Sequence, residues 1–105
     1  NNETRSNSIR KKIMKTNTIK TMQYILADVQ EFCHDNIDKL YQHSVEVQHF
    51  NNDAIYIDAT IVEKYNEPLV ENKFHFASED EEGLETLFDE FRLYVADYYK
   101  RNNNK

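Results

Sequence analysis

A chain of 105 residues has room for one small domain with one core, and excludes two. Its composition is 30% charged and 39% hydrophobic, with seven Tyr and six Phe, which excludes wholesale disorder. One Gly and one Pro argue against Gly-rich phosphate cradles and strained catalytic turns.

Cys33 is the single cysteine, so an internal disulfide and a four-cysteine zinc site are both excluded. That usage fits a reducing compartment, and a cytoplasmic location is the expectation. No apolar run approaches the roughly 20 residues that cross a bilayer, and no stretch reads as a signal peptide. The chain begins at Asn1 rather than Met, as expected of a fragment or of a chain lacking its first segment.

The net charge of −6 hides an asymmetry. Residues 1–20 set Arg5, Arg10, Lys11, Lys12, Lys15 and Lys20 against Glu3 alone, a net +5. Residues 21–105 then carry 7 basic and 18 acidic side chains, a net −11. Such a division speaks of partners and solubility rather than of fold.

In chain order, residues 1–17 are polar and basic, with only Ile9, Ile13 and Met14 apolar. They read as a flexible arm or linker, with helix expected near its end. Residues 18–43 have helical period: Ile19, Met22, Ile25, Leu26, Val29, Phe32, Cys33, Ile37 and Leu40 recur at spacings of three and four. Asn17 or Thr18 can cap the start, and "HDN" at 34–36 is placed to shorten or bend the helix. Cys33 lies on the apolar stripe and is expected to be a small buried hydrophobe.

Residues 44–50 and 54–65 alternate with period two around the turn signal "NND". Ile55, Ile57, Ala59 and Ile61 face one side, and Tyr56, Asp58, Thr60 and Val62 the other. After "NEP", residues 69–77 set Val70, Phe74 and Phe76 against Glu71, Lys73 and His75. Short turns imply an antiparallel meander. Counting from the turns sets Glu46 opposite Asp58, with His75 on the far side of Asp58.

Ser78 to Glu81 fits a capping box. Leu84, Leu87, Phe88, Phe91, Tyr94, Val95 and Tyr98 then form a second apolar stripe, and residues 101–105 read as a polar tail. The predicted fold is α+β, in the order α-β-β-β-α. A three-stranded antiparallel meander packs two helices on one face, over residues 18–100.

The carboxylates are the features that this fold does not require. Asp28, Glu31, Asp35 and Asp38 follow one another at three, four and three on the first helix. Their Cβ atoms are about 5–6 Å apart, not far from the phosphate spacing of a nucleic-acid strand. Glu81, Glu85 and Asp89 form an i,i+4 row on the second helix, with Glu82 and Glu90 beside them. Capping and the helix dipole account for Glu79, Asp80 and Glu81, but Glu85, Asp89 and Glu90 lie beyond the first turn. On the outer sheet face, Tyr56, Gln48 and Phe50 lie together with Glu46 and Asp58, a composition that suits protein binding.

No motif points to catalysis, to a cofactor or to a metal, and a non-enzymatic protein is expected. His34, His43, His49 and His75 lack metal-ligand spacing, and His49 is expected on the core face near the sheet edge.

The α-β-β-β-α order resembles that of double-stranded-RNA-binding domains, whose second helix opens with lysines that meet phosphates. Here that place reads "SEDEEG", and four acids would repel a phosphate backbone. Direct nucleic-acid contact is left to the basic residues 5–20. Over residues 18–100 the chain also resembles small phage-encoded inhibitors, notably anti-CRISPR proteins acting on type II-A Cas9 enzymes. The likeness lies in size, acidity, scarce cysteine and a small sheet flanked by helices, and it carries no functional residue across. It implies binding to a Cas9 domain and blockade of its nucleic acid or its nuclease motion.

The expected function is therefore inhibition of a nucleic-acid-binding protein or nuclease by occlusion of a basic surface. The expected partner-binding residues are Asp28, Glu31, Asp35, Asp38, Glu46, Tyr56, Asp58, Glu81, Glu82, Glu85, Asp89 and Glu90. Two alternatives stay open: an immunity protein that neutralises a cationic toxin, and a small structural subunit of a nucleoprotein assembly.

Overall fold

A computed structural model of the chain describes residues 2–50 and 54–103, with side chains from residue 17 onward. Helix α1 spans Asn2–Asp35. A short 3-10 turn, Ile37–Lys39, leads into strand β1 (Leu40–His49). Strands β2 (Ile55–Glu63) and β3 (Glu71–Ala77) follow, and helix α2 (Glu81–Asn103) ends the fold. The order is α-β-β-β-α and the sheet order is β1-β2-β3, antiparallel throughout, so the fold is α+β as expected.

α1 forms because Met22, Ile25, Val29, Phe32 and Cys33 make one stripe, each at most 4% exposed. Residues 2–17, expected as an arm or linker, continue this helix, so neither Asn17 nor Thr18 caps a start. The Asn17 carbonyl accepts from Thr21 Oγ1 at 2.9 Å, an ordinary mid-helix contact. The helix stops where "HDN" was expected to interrupt it. Asn36 is 6% exposed. Its amide nitrogen donates to the Phe32 carbonyl (2.9 Å) and to the Tyr99 hydroxyl (2.8 Å), occupying a last-turn acceptor.

The sheet register agrees with the count from the turns: Glu46 pairs with Asp58, and Asp58 with His75. Ile57, Ala59, Ile61 and Phe76 point to the core and are at most 1% exposed. They form one cluster with the α1 stripe and with Leu84, Phe88, Phe91 and Tyr98 of α2, so both helices cover the same sheet face. α1 lies against β1 and β2, and α2 against β3. The helices run parallel, because Thr18 meets Glu81 near one end and Asn36 meets Tyr99 near the other, each pair 63 residues apart.

Four local expectations are corrected. Ser78 does not cap α2. Its Oγ accepts from the Ile55 N–H (2.8 Å) and its N–H donates to the Ile55 carbonyl (2.9 Å), which extends the β2–β3 pairing. The cap is Asp80, whose Oδ1 accepts from the Gly83 N–H at 3.0 Å. The polar tail expected over 101–105 is helical as far as Asn103. His49, expected on the core side, keeps that register opposite Ile55 but is exposed. Val70, expected beside Phe74 and Phe76, is 51% exposed ahead of β3.

Glu63 has core parity at the end of β2 and is only 6% exposed. A buried carboxylate is tolerated because it is fully partnered: Arg101 of α2 grips it, and the Tyr94 hydroxyl donates to it at 3.1 Å. Burial, then the neighbouring Glu63 charge, holds the Tyr94 phenol proton well above its usual range. Among the described residues, no helix is long and apolar enough to cross a membrane.

Candidate protein-binding groove

Parallel packing of α1 and α2 leaves a groove between them on the side away from the sheet. Its first part, about 400 Å³, has Asn17, Thr18 and Thr21 on one wall and Glu81, Glu85 and Asp89 on the other. Leu84 and Phe88 form its apolar base. Its second part, about 220 Å³, has Asp28, Glu31 and Asp35 on the α1 wall, and Phe91, Val95 and Tyr99 on the α2 wall. Arg92 lines both parts.

The two acidic rows therefore belong to one surface. With a constant offset of 63 residues, Glu81, Glu85 and Asp89 sit at the levels of residues 18, 22 and 26 on α1, and Asp28, Glu31 and Asp35 carry the charge onward. At 1.5 Å per residue this track is about 26 Å long. Six carboxylates line it, and Arg92 is its one cation among the described residues. The Arg92 guanidinium lies 4.0 Å from the centre of the Phe88 ring, so an aromatic face holds it at the middle of the track.

Like charges at i,i+4 destabilise a helix by about 0.2–0.5 kcal/mol per pair. Local structure accounts for few of these acids. Asp80 caps the helix, Glu79 accepts from the Tyr56 hydroxyl at 3.0 Å, and Glu81 accepts from Thr18 Oγ1 at 2.9 Å. Glu85 and Asp89 have no comparable role.

The remaining expected site residues lie elsewhere. Glu82 and Glu90 are exposed on α2 outside the groove walls, and Asp38 is exposed on the 3-10 turn. Glu46, Tyr56 and Asp58 occupy the sheet face that the helices do not cover. There Asp58 Oδ1 is in hydrogen-bond contact with His75 Nδ1. The Tyr56 ring lies 4.9 Å from Phe50 and 5.5 Å from His75. Its hydrogen bond to Glu79 raises the Tyr56 pKa. Sheet and core separate this patch from the groove, so of the twelve expected residues six line the groove, three share the open sheet face, and Asp38, Glu82 and Glu90 belong to neither.

Sequence reasoning missed Arg92, Thr18 and Thr21 as groove residues. Arg92 carried a signal, being the only basic residue of α2 before Lys100. Thr18 and Thr21 carried none, because only the placement of α2 brings them to the groove. Cys33 is 2% exposed, and burial pushes its thiol up to about 11. It stays protonated near neutrality, unlike an activated nucleophile. Set against protein families, curated proteins and solved structures, the chain has no match.

Proposed function

We propose that the chain is a non-enzymatic binding protein whose α1–α2 groove docks on a basic protein surface that otherwise holds nucleic acid. The observation that carries this reading is the joining of two separate carboxylate rows into one track lined by six acids. A track about 26 Å long with regularly spaced carboxylates offers a Lys/Arg surface what a nucleic-acid backbone would offer. Tyr99, which is exposed, and the half-buried Val95 add apolar contact beside the charges. Inhibition is steric and electrostatic: while the track fills the basic site, nucleic acid is excluded. Charge steering makes association fast at low salt.

The type II-A Cas9 enzymes, the targets of the inhibitors that this chain resembles in size, charge and architecture, are one concrete class of partner.

Immobilised protein tests the reading. Partners captured from a host lysate should be basic nucleic-acid-binding proteins. Duplex RNA or heparin should release them, and a variant with Asp28→Asn, Glu31→Gln, Glu85→Gln and Asp89→Asn should fail to capture them. Capture that withstands polyanion competition and survives all four substitutions would sink the proposal.

A further inference from the structure

β1 forms one edge of the sheet and, among the described residues, pairs only with β2. The Phe50 N–H donates to the Ala54 carbonyl at 3.0 Å, which fixes the phase of this antiparallel ladder. Even-numbered β1 residues exchange hydrogen bonds with β2, and odd-numbered ones direct theirs outward. β2 has the complementary phase, since the Ile55 and Ile61 carbonyls both meet groups from the β3 side. The N–H and C=O groups of His43, Val45, Val47 and His49 therefore line the open edge.

Sheet edges are usually blunted by Lys, Pro, bulges or a covering element. From Leu40 to His49 there is no Lys, Arg or Pro, and Glu46 is the only formal charge. The bulge lies at the start of the strand, between Leu40 and Gln42. The other edge, β3, differs: it carries a Lys73–Glu71 ion pair at 3.3 Å and lies against α2. In a chain that is 30% charged, β1 is a long and nearly uncharged exception. Val47, Ile37 and Tyr41 on or beside it are 38%, 55% and 63% exposed.

We propose that a second copy of this chain pairs antiparallel along β1, making a six-stranded sheet with its twofold axis at Val45. An isologous pair needs a self-complementary strand, and charge and register select this one. With the axis at Val45, outward-pointing residues meet outward-pointing residues: Val45 meets its copy, and His43 meets Val47. On the outer face Ser44 meets Glu46, and Gln42 meets Gln48, so no like charges are opposed. Moving the axis to Glu46 opposes two carboxylates. Moving it to Ser44 sets His49 opposite Lys39, which lies before the strand, and moving it to Val47 shortens the paired stretch to residues 45–49.

The core side of the seam gains cover as well. A groove of about 320 Å³ between α1 and β1 is lined by Cys33, His34, Ile37, His43 and Val45. Pairing brings the two grooves together across Val45. α1 stands between this seam and the acidic track, so a dimer leaves both tracks open.

Sedimentation equilibrium and light scattering provide the test. The chain should dimerise with a Kd in the roughly 10 µM range, as suits one edge pairing. Higher salt should strengthen the dimer, because each copy brings a net charge of −6. Val47→Pro removes an outward N–H without touching the β1–β2 ladder, and Val47→Lys places a cation on the edge. Each should weaken dimerisation by more than about tenfold while the circular dichroism of the monomer is kept. Val45→Cys should give a disulfide-linked dimer with oxidised glutathione, whereas buried Cys33 alone should not.

A chain that stays monomeric at about 1 mM in low and high salt would overturn the proposal. So would a dimer that survives both Val47 substitutions and forms no Val45→Cys cross-link, or a monomer whose β1 instead takes up a basic peptide.

Discussion

Arg101 holds Glu63 through both arms of its guanidinium, Nη1 to Oε1 at 2.8 Å and Nη2 to Oε2 at 3.0 Å, across 38 residues of chain. Its Nε also donates to Asp97 at 2.7 Å, one turn back on α2. Bonding to Glu63, and then to Asp97, raises the Arg101 pKa further above its already high value. A raised pKa on a cation means stability that is lost only as pH climbs through it, so this pair persists through all ordinary working pH. The pair ties the end of β2 to the end of α2.

Arg101→Ala should cost about 2–3 kcal/mol by urea denaturation. That is less than the roughly 3–5 kcal/mol for breaking a fully buried pair, because the Arg101 side chain is 39% exposed. The loss comes mainly from stranding the Glu63 carboxylate. Glu63→Leu combined with Arg101→Met should therefore recover most of it.

Tyr98 should behave in the opposite way. Its hydroxyl is the one buried side-chain polar atom without a hydrogen-bond partner among the described residues. Its ring packs edge-on against Phe32 at 5.0 Å. Tyr98→Phe keeps the ring and removes the orphan, and should stabilise by about 1 kcal/mol. Tyr94→Phe, which removes a donor from Glu63, should destabilise by about 1 kcal/mol. Equal thermal shifts of the same sign in the two variants would contradict this account.

Alkaline stability should depend on Cys33. Its pKa rises from 9.0 to about 11 on folding, because burial disfavours the thiolate. A group with a raised folded pKa contributes stability that is complete below the unfolded pKa and is lost as pH rises through the folded one. Denaturation midpoints should fall between pH 9 and 11, with Cys33 contributing of order 1–3 kcal/mol. Cys33→Ala should flatten part of that slope while lowering stability at pH 7 through the vacated volume. Thiol reagents should label the native protein slowly at pH 8.

At the α2 cap, Asp80→Ala should cost about 1 kcal/mol. Gly83→Ala would gain about 1 kcal/mol from helix propensity alone. However, a Cβ at that position collides with the Asp80 carboxylate. The single substitution should therefore bring no gain, whereas Gly83→Ala in an Asp80→Ala background should stabilise by close to the full propensity difference. A double-mutant cycle measures this coupling.

The acidic track should separate stability from binding. Glu85→Gln and Asp89→Asn each relieve like-charge neighbours and should raise stability by about 0.2–0.5 kcal/mol. The same changes should slow association with a basic partner at low salt, and the difference should fade near 0.5 M salt. Stopped-flow association rates at two ionic strengths check it.

Periodicity was enough to place the sheet register. Glu46, Asp58 and His75 fell in line because side chains alternate strictly along a strand and short turns fix the count. The α2 cap was misplaced for a local reason. Ser78 and Asp80 both suit a helix start, and the choice depended on the Ile55 N–H, 23 residues away, which engages Ser78. The extent of α1 was missed because residues 1–17 lack an apolar stripe, although nothing in them breaks a helix.

The sequence alone determined the element order, the two apolar stripes, the strand pairing and the surplus of carboxylates. Each follows from spacing along a few neighbouring residues, where helix and strand geometry are fixed. Only the tertiary structure decided that the carboxylate rows of α1 and α2 line one groove with Arg92 at its middle. It also assigned Glu63 to Arg101. Those relations depend on how two helices settle side by side on a sheet. That is decided by the packing of Phe32, Phe88, Phe91 and Tyr98, residues that local spacing does not bring together.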